Sequence, residues 1–348
     1  MNLATKYRPK KFGDIVCQDN VKIVLQNQID LDEFKQAYLF CGSAGTGKTT
    51  SARIFANEIN KGEGRIIEID GASNNGVDNI RNLIDNCKMK SLDGTYKVFI
   101  IDEVHMLSIG AFNALLKILE EPPKGTIFIL CTTDPQKIPG TILSRVQRFD
   151  FQRIPTEQIF NRLKYIIEQE NTEFCEIHGN EVYEGDLIEY QDDALMHIAQ
   201  LAEGGMRDAI TKLDTVLGFT HNITLASVIQ CLGLTSTAFI LEVLYNIVSK
   251  SPQNMLGAIN SLFLEGKDLK VFIKDSIRTL LDVIKYSMSG YYNLPESCKT
   301  RVDNITQQCS YGKMLTILDA YNELYFKIRY ESNPKILIES ELLQVCEY

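Results

Sequence analysis

No run in this 348-residue chain approaches the ~18 consecutive apolar residues of a membrane-spanning helix, and its first residues carry no secretory leader. The chain is therefore expected to be soluble and cytoplasmic, with no membrane partner. Histidine is scarce: the four present fall at no metal-ligand spacing. Nine cysteines stand at 17, 41, 87, 131, 175, 231, 298, 309 and 346, and no two form C-x-x-C. Cys41, Cys87 and Cys131 fall on apolar faces, so the set reads as reduced core residues, with no disulfide framework and no zinc expected. Positive charge is also short. With 36 Lys and Arg against 45 Asp and Glu, the net charge of −9 argues against a free-standing nucleic-acid binder. Residues 1–155 hold 20 basic against 18 acidic residues and the remainder 16 against 27, so any DNA contact belongs to the first part and should be salt-sensitive. There is no internal repeat and no low-complexity tail.

What the chain does contain is a complete phosphate-binding loop. Residues 42–49, Gly-Ser-Ala-Gly-Thr-Gly-Lys-Thr, match G-x-x-x-x-G-K-[ST] in full. The apolar run Ala37–Cys41 predicts a buried strand before it, and Ala52, Phe55, Ala56 and Ile59 predict the inner face of a helix after it. The motif needs that context, because loop amides and a helix N-terminus together attract anionic phosphates. Gly42, Gly45 and Gly47 let the backbone come close, and Ser43, Ala44, Thr46 and Thr50 complete the expected nucleotide-binding set. Lys48 is expected to reach the β and γ phosphates of ATP, and the Thr49 hydroxyl to sit on Mg²⁺. Downstream, Val98-Phe-Ile-Ile-Asp-Glu-Val-His105 is a strand ending in two acids. Asp102 is expected to hold the magnesium shell through water, and Glu103 to orient or deprotonate an attacking water. His105 follows the acidic pair and could face the nucleotide, but a structural role is the preferred expectation.

Periodicity organises the rest. Helices are expected at about 20–29, 77–88 and 109–120, the last capped by Ser108, and strands at 65–70, 97–102, 126–131 and 147–151. Alternating β and α with all-apolar strands implies an α/β fold whose parallel sheet is covered on both faces. Ligand then belongs at the strands' carboxyl ends, where the loop, Asp102 and Thr132 fall. After Pro155 the strand signal fades into helices, except for a short hairpin expected over 173–190. Residues 234–348 read as helical throughout, with stripes such as Leu241, Leu244, Tyr245 and Val248.

These residues carry a family resemblance. Lys6-Tyr-Arg-Pro-Lys, the loop Gly42–Thr49, Asp102-Glu-Val-His, Asn113-Ala-Leu-Leu-Lys, Glu120-Glu-Pro-Pro, Thr132-Thr-Asp-Pro-Gln-Lys-Ile-Pro, Ser144-Arg145 and Gly205-Met-Arg-Asp-Ala occur in that order. Together they resemble the AAA+ clamp-loader ATPases, most of all the gamma/tau subunits of bacterial DNA polymerase III, over residues 4 to about 233. The resemblance implies a P-loop domain over 1–155, a helical lid over 156–233 with an insertion at about 172–188, and an all-α oligomerisation collar over 234–348. It implies a pentameric ring, of copies of itself and other loader subunits, that places a sliding clamp on primer-template DNA. It also implies that Tyr7 and Arg8 contact nucleotide, that Arg145 is a finger reaching the neighbouring subunit's γ-phosphate, that Arg207 is a lid sensor, and that Thr132 or Thr133 is the first sensor, Thr132 being preferred. DNA contact is expected near Ser73, Asn74, Asn75 and Ser108, and a clamp contact near Lys88-Met89-Lys90-Ser91-Leu92.

Two departures stand out. The family's four-cysteine zinc module would fall where only Asn60-Lys-Gly-Glu-Gly-Arg65 stands, and Asn74-Asn75-Gly76 replaces a basic residue common in relatives, which weakens the expected DNA grip. The chain also ends at 348 without the tau-type extension. Alternative readings are another AAA+ DNA motor, of branch-migration or replication factor C small-subunit type, or a non-catalytic scaffold of the ring.

Overall fold

The computed structural model describes residues 2–62, 66–88, 96–179 and 185–347. They fall into two units, Met1–Leu225 and Ala226–Tyr348.

Short apolar runs rich in branched and aromatic residues cannot leave a face in water, so in the first unit they pair and are covered on both sides. Helices α1 (Leu3–Lys6) and α2 (Asp19–Leu31) lead into β1 (Ala37–Cys41), α3 (Lys48–Ile59), β2 (Ile66–Asp70), α4 (Val77–Lys88) and β3 (Lys97–Asp102). Then come α5 (Ile109–Glu120), β4 (Thr126–Thr132), α6 (Gly140–Leu143) and β5 (Gln147–Asp150). The sheet order is β2-β3-β4-β1-β5, every pair parallel. One face packs Tyr38, Phe40, Val98, Ile100 and Ile129 against Leu25, Ala52 and Phe55; the other packs Leu39, Phe99, Ile101 and Phe128 against Ile80, Phe112 and Leu115. Each such side chain contributes roughly 1.5–3 kcal/mol of burial. Cys41 pairs with Thr132 and Asp70 with Asp102, so four strands end along one edge. Ser108 caps α5 as expected, its hydroxyl accepting from Ala111 N.

The same unit continues through α7 (Thr156–His178), β6 (Glu189–Tyr190), α8 (Asp192–Leu201), α9 (Met206–Leu217) and β7 (Asn222–Ile223). The hairpin expected over 173–190 is not formed. Glu173–His178 is the last stretch of α7, where Phe174 and His178, four apart, stack with ring centroids at 4.1 Å. Asn171 then bonds both the N–H and the carbonyl of Ile188, at 2.8 and 2.9 Å, and β6 pairs in parallel with the distant β7. Residues 180–184 of that expectation lie outside the described residues.

Helix α10 (Leu225–Cys231) spans the division between units. Beyond it the described residues are all helical apart from connections: α11 (Thr237–Val248), α12 (Pro252–Leu264), α13 (Leu269–Ser289), α14 (Lys299–Gln308), α15 (Tyr311–Lys327) and α16 (Pro334–Glu347). Ser236, Asp268 and Ser310 cap three of them through their side chains. Leu241, Leu244 and Val248 join the core of this unit, and Tyr245 packs at its margin. Among the described residues no helix is long and apolar enough to cross a membrane.

Candidate nucleotide site

The loop after β1 is shaped by three glycines. Gly42 takes φ +151°, and a Cβ there would lie 2.4 Å from the Phe151 carbonyl oxygen, so no side chain fits. Gly45 and Gly47 have φ +74° and +101°, and Gly47 opens α3. Replacing Gly42 by alanine is expected to cost about 1–3 kcal/mol from backbone strain alone. The clash with Phe151 adds to that, so the variant should unfold several degrees below the parent in a thermal melt.

Lys48 and Thr49, at the start of α3, face the sheet's carboxyl edge. The Lys48 ammonium is buried and donates to the carbonyls of Gly42 (2.9 Å) and Ser43 (2.8 Å). Burial lowers its pKa from the ordinary lysine value, opposed first by the nearby Glu103 carboxylate. Thr49 Oγ1 donates to Asp102 Oδ2 at 2.7 Å, and Asp102 Oδ1 accepts from Glu103 N at 3.0 Å. Hydroxyl and carboxylate oxygens set together suit a hard divalent cation such as magnesium. The cleft above them has a volume of about 640 Å³ and is lined by Tyr7, Arg8, Gly45–Thr50, Asp102 and Arg207 among others. That volume suits a nucleotide-sized ligand.

Glu103 has a left-handed backbone, φ 46° and ψ 44°. Gly71 makes room for it, since a Cβ at 71 would lie 2.8 Å from the Glu103 carbonyl oxygen. One Glu103 carboxylate oxygen accepts from the hydroxyl (2.9 Å) and N–H (3.3 Å) of Thr133. Thr132 is wholly buried, its hydroxyl oxygen 3.1 Å from His105 Nδ1 and accepting from Asp134 N at 3.0 Å. Of the two candidate sensors, it is therefore Thr133 that touches the acidic pair.

The N-terminal segment and α9 close the cleft. Arg8 Nε donates to Thr50 Oγ1 at 3.2 Å, while the Tyr7 hydroxyl donates to Glu170 at 2.6 Å. Lys6 pairs with Glu170 and Glu173 on α7. Burial, then Glu170, raises the Tyr7 pKa, and burial lowers that of Arg8. Gly45 and Gly205 meet backbone to backbone: a Cβ on Gly45 would lie 3.1 Å from Gly205 Cα, and Met206 N donates to Gly45 O at 3.0 Å. This brings Arg207 to the cleft.

Sequence reasoning missed several residues here. Gln18, at φ 61°, brackets Gln152 with two bonds (2.7 and 3.1 Å) and reaches Thr46 O at 3.4 Å. Arg53 and Glu68, which also line the cleft, form a two-point ion pair at 2.6 Å. None has a local pattern. An Arg four residues after Thr49, on the same face of the phosphate-loop helix, was the available hint.

Arg145 stands apart from the cleft. Its guanidinium is partly exposed after α6, bonded to Glu120 (2.7 Å) and to the Thr141 carbonyl (2.6 Å). The residues expected near DNA cluster by the edge where α4 and α5 begin. Ser73 Oγ donates to Asp70 at 2.8 Å, Asn74 bonds the Asp70 carbonyl, and Asn75 O accepts from Ser108 N at 3.1 Å. Met89–Leu92, expected to approach the clamp, lie outside the described residues.

Comparison with known proteins gives a consistent set. A family model described as DNA polymerase III, delta subunit, matches residues 64–155. DNA polymerase III subunit tau of Bacillus subtilis is 37% identical over 98% of this chain and 62% of its own length. Subunit tau of Escherichia coli is 33% identical over 82% of this chain and 46% of its own. The chain thus spans roughly half the length of these tau relatives. Subunit gamma of Buchnera aphidicola is matched nearly end to end, 30% identical over 99% of this chain and 98% of the relative. Among solved structures, the Thermotoga maritima RuvB Holliday junction branch migration motor aligns with TM-score 0.50 and 21% identity, covering 70% of this chain and 79% of that one, a likeness of fold alone.

Proposed function

The chain belongs to the gamma/tau family of DNA polymerase III subunits, and we propose that it is the ATP-hydrolysing motor subunit of a DNA sliding-clamp loader. The observation that carries the ATP-hydrolysing part is the 2.7 Å bond from Thr49 to Asp102 beneath a phosphate loop whose buried Lys48 is held by the Gly42 and Ser43 carbonyls. A lysine so placed exchanges weak carbonyl partners for phosphate oxygens when ATP arrives. Thr49 and Asp102 would hold a magnesium ion, which supplies charge neutralisation across the phosphates.

Glu103 is the group that orients the attacking water, with Thr133 fixing its carboxylate. Loop amides from Gly42 to Thr50 cradle the phosphates, and Tyr7 and Arg8 border the nucleotide from the N-terminal side. Arg207 reports nucleotide to the helices of residues 156–233, which act as a lid, and residues 234–348 serve as the collar of a pentameric ring. In that ring Arg145 faces the neighbouring site. This is supported by its distance from its own cleft and by a head-to-tail ring's need for a group in trans. ATP binding orders the ring into a clamp-opening form, and hydrolysis releases the clamp on primed DNA. The starts of α4 and α5, with Ser73, Asn74, Asn75 and Ser108, track the DNA backbone without reading bases.

The test is steady-state ATP hydrolysis by the purified chain with its loader partners, adding sliding clamp and primed DNA singly and together. The pair should stimulate strongly. Glu103→Gln should lower the stimulated rate about 10²- to 10⁴-fold while ATP still binds. Stimulation by branched DNA but not by clamp would make the chain a different AAA+ motor. Absence of ATP binding would leave a scaffold subunit.

A further inference from the structure

His105 sits beside the acidic pair rather than away from the site. Its side chain is 10% exposed, and its Nδ1 lies 3.3 Å from Glu103 Oε2 and 3.1 Å from Thr132 Oγ1. The Thr132 oxygen already accepts from Asp134 N at 3.0 Å, which ties it to the end of β4. The same Glu103 oxygen accepts from the Thr133 hydroxyl at 2.9 Å. One imidazole nitrogen therefore faces a fixed hydroxyl and a carboxylate.

A ring nitrogen either donates or accepts. A lone pair on Nδ1 would oppose the carboxylate at that distance, whereas an N–H bonded to the Thr132 oxygen would attract it electrostatically. The nearby Glu103 charge thus favours the tautomer with the proton on Nδ1. When the carboxylate turns away toward the cleft, the same N–H is left with the Thr132 oxygen. The ring has a partner in both arrangements, and Glu103 has a defined orientation in the first.

We propose that His105 is a positioning residue for Glu103, fixing with Thr133 the orientation from which the carboxylate engages the attacking water. Two further observations support it. The backbone of Glu103 is left-handed and Gly71 N donates to Asp102 O at 2.7 Å, so the main chain beneath the carboxylate is held from the neighbouring strand. What remains free is the side-chain torsion, and His105 and Thr133 are the groups that set it. The inference rests on the reading of Glu103 as the water-orienting group.

The experiment compares the parent chain with Glu103→Gln, His105→Phe and His105→Asn, with clamp and primed DNA present. It measures ATP turnover, equilibrium binding of a fluorescent ATP analogue, and the thermal midpoint. His105→Phe should lower kcat roughly 10- to 100-fold through misplacement of Glu103, with analogue affinity and midpoint unchanged. His105→Asn brings an amide nitrogen near the Nδ1 position and should return turnover to within about threefold of the parent, because a donor is restored at that point. Parental turnover in His105→Phe beside an inactive Glu103→Gln overturns this inference and leaves the proposed function standing. Equal losses in both His105 variants with a lowered midpoint mean a merely structural histidine and overturn it as well. A Glu103→Gln chain as active as the parent removes the reading of Glu103 and this inference with it.

Discussion

Replacing Arg145 by alanine is expected to reduce clamp- and DNA-stimulated hydrolysis by about 10³-fold or more, the range found when a finger arginine is lost. ATP binding to the isolated chain should stay at the parental value. The reason is geometric: Arg145 is engaged by Glu120 and the Thr141 carbonyl and does not line the cleft beside Lys48. A residue outside its own site can serve hydrolysis only in a neighbour's. In isolation the substitution removes a partly exposed ion pair, worth ~0–1 kcal/mol, and an exposed bond to the Thr141 carbonyl, so the fold should suffer little. If Arg145→Ala hydrolyses ATP at the parental stimulated rate, the finger role is withdrawn.

Lys48→Ala should weaken ATP binding about 10- to 100-fold, since it deletes charge-assisted bonds of ~1.5–3 kcal/mol to phosphate. The two variants together test the ring. An Arg145→Ala chain keeps its own phosphate loop, and a Lys48→Ala chain keeps its own arginine. Mixed in one assembly, a boundary has both functions intact wherever an Arg145→Ala chain presents its phosphate loop to the arginine of a Lys48→Ala chain. Stimulated hydrolysis should therefore return partially on mixing two preparations that are each nearly inactive. If the mixture stays as inactive as its components, Arg145 acts within its own chain or not at all. Equilibrium titration with a fluorescent ATP analogue checks the binding arm independently.

The contrast between these residues and the others shows what a linear chain reveals. Gly42–Thr49 and Asp102–Glu103 are contiguous, because a loop that wraps phosphate must be one piece of backbone and a strand must end where its acids project. The parallel sheet was legible for a related reason: strands buried on both faces must be largely apolar, as in Ala37–Cys41 and the 127–131 core of β4. The Gln18–Gln152 bracket joins residues 134 apart, and no local spacing encodes it. Arg53 with Glu68, and Glu103 with Thr133, likewise join different elements. Strands β6 and β7, with two residues each, are too short for alternation to register. Over 173–178, branched and aromatic residues suggested a hairpin, but continuity with a long amphipathic helix and the Phe174–His178 stack decided for helix. Which of Thr132 and Thr133 contacts Glu103 is a matter of a single step along a strand end, where adjacent side chains point opposite ways.

The contact of Gly45 with Gly205 sets an asymmetric limit on how this site can change. Backbone against backbone is the closest approach two peptide segments can make, and neither side holds an atom that could be trimmed. Variation at either position can only add bulk and drive the loop and the helices beyond it apart. At this point the loop and α9 therefore already stand as close as backbone allows. Substitution here can only part them, and any closer packing of the two has to be found at other positions.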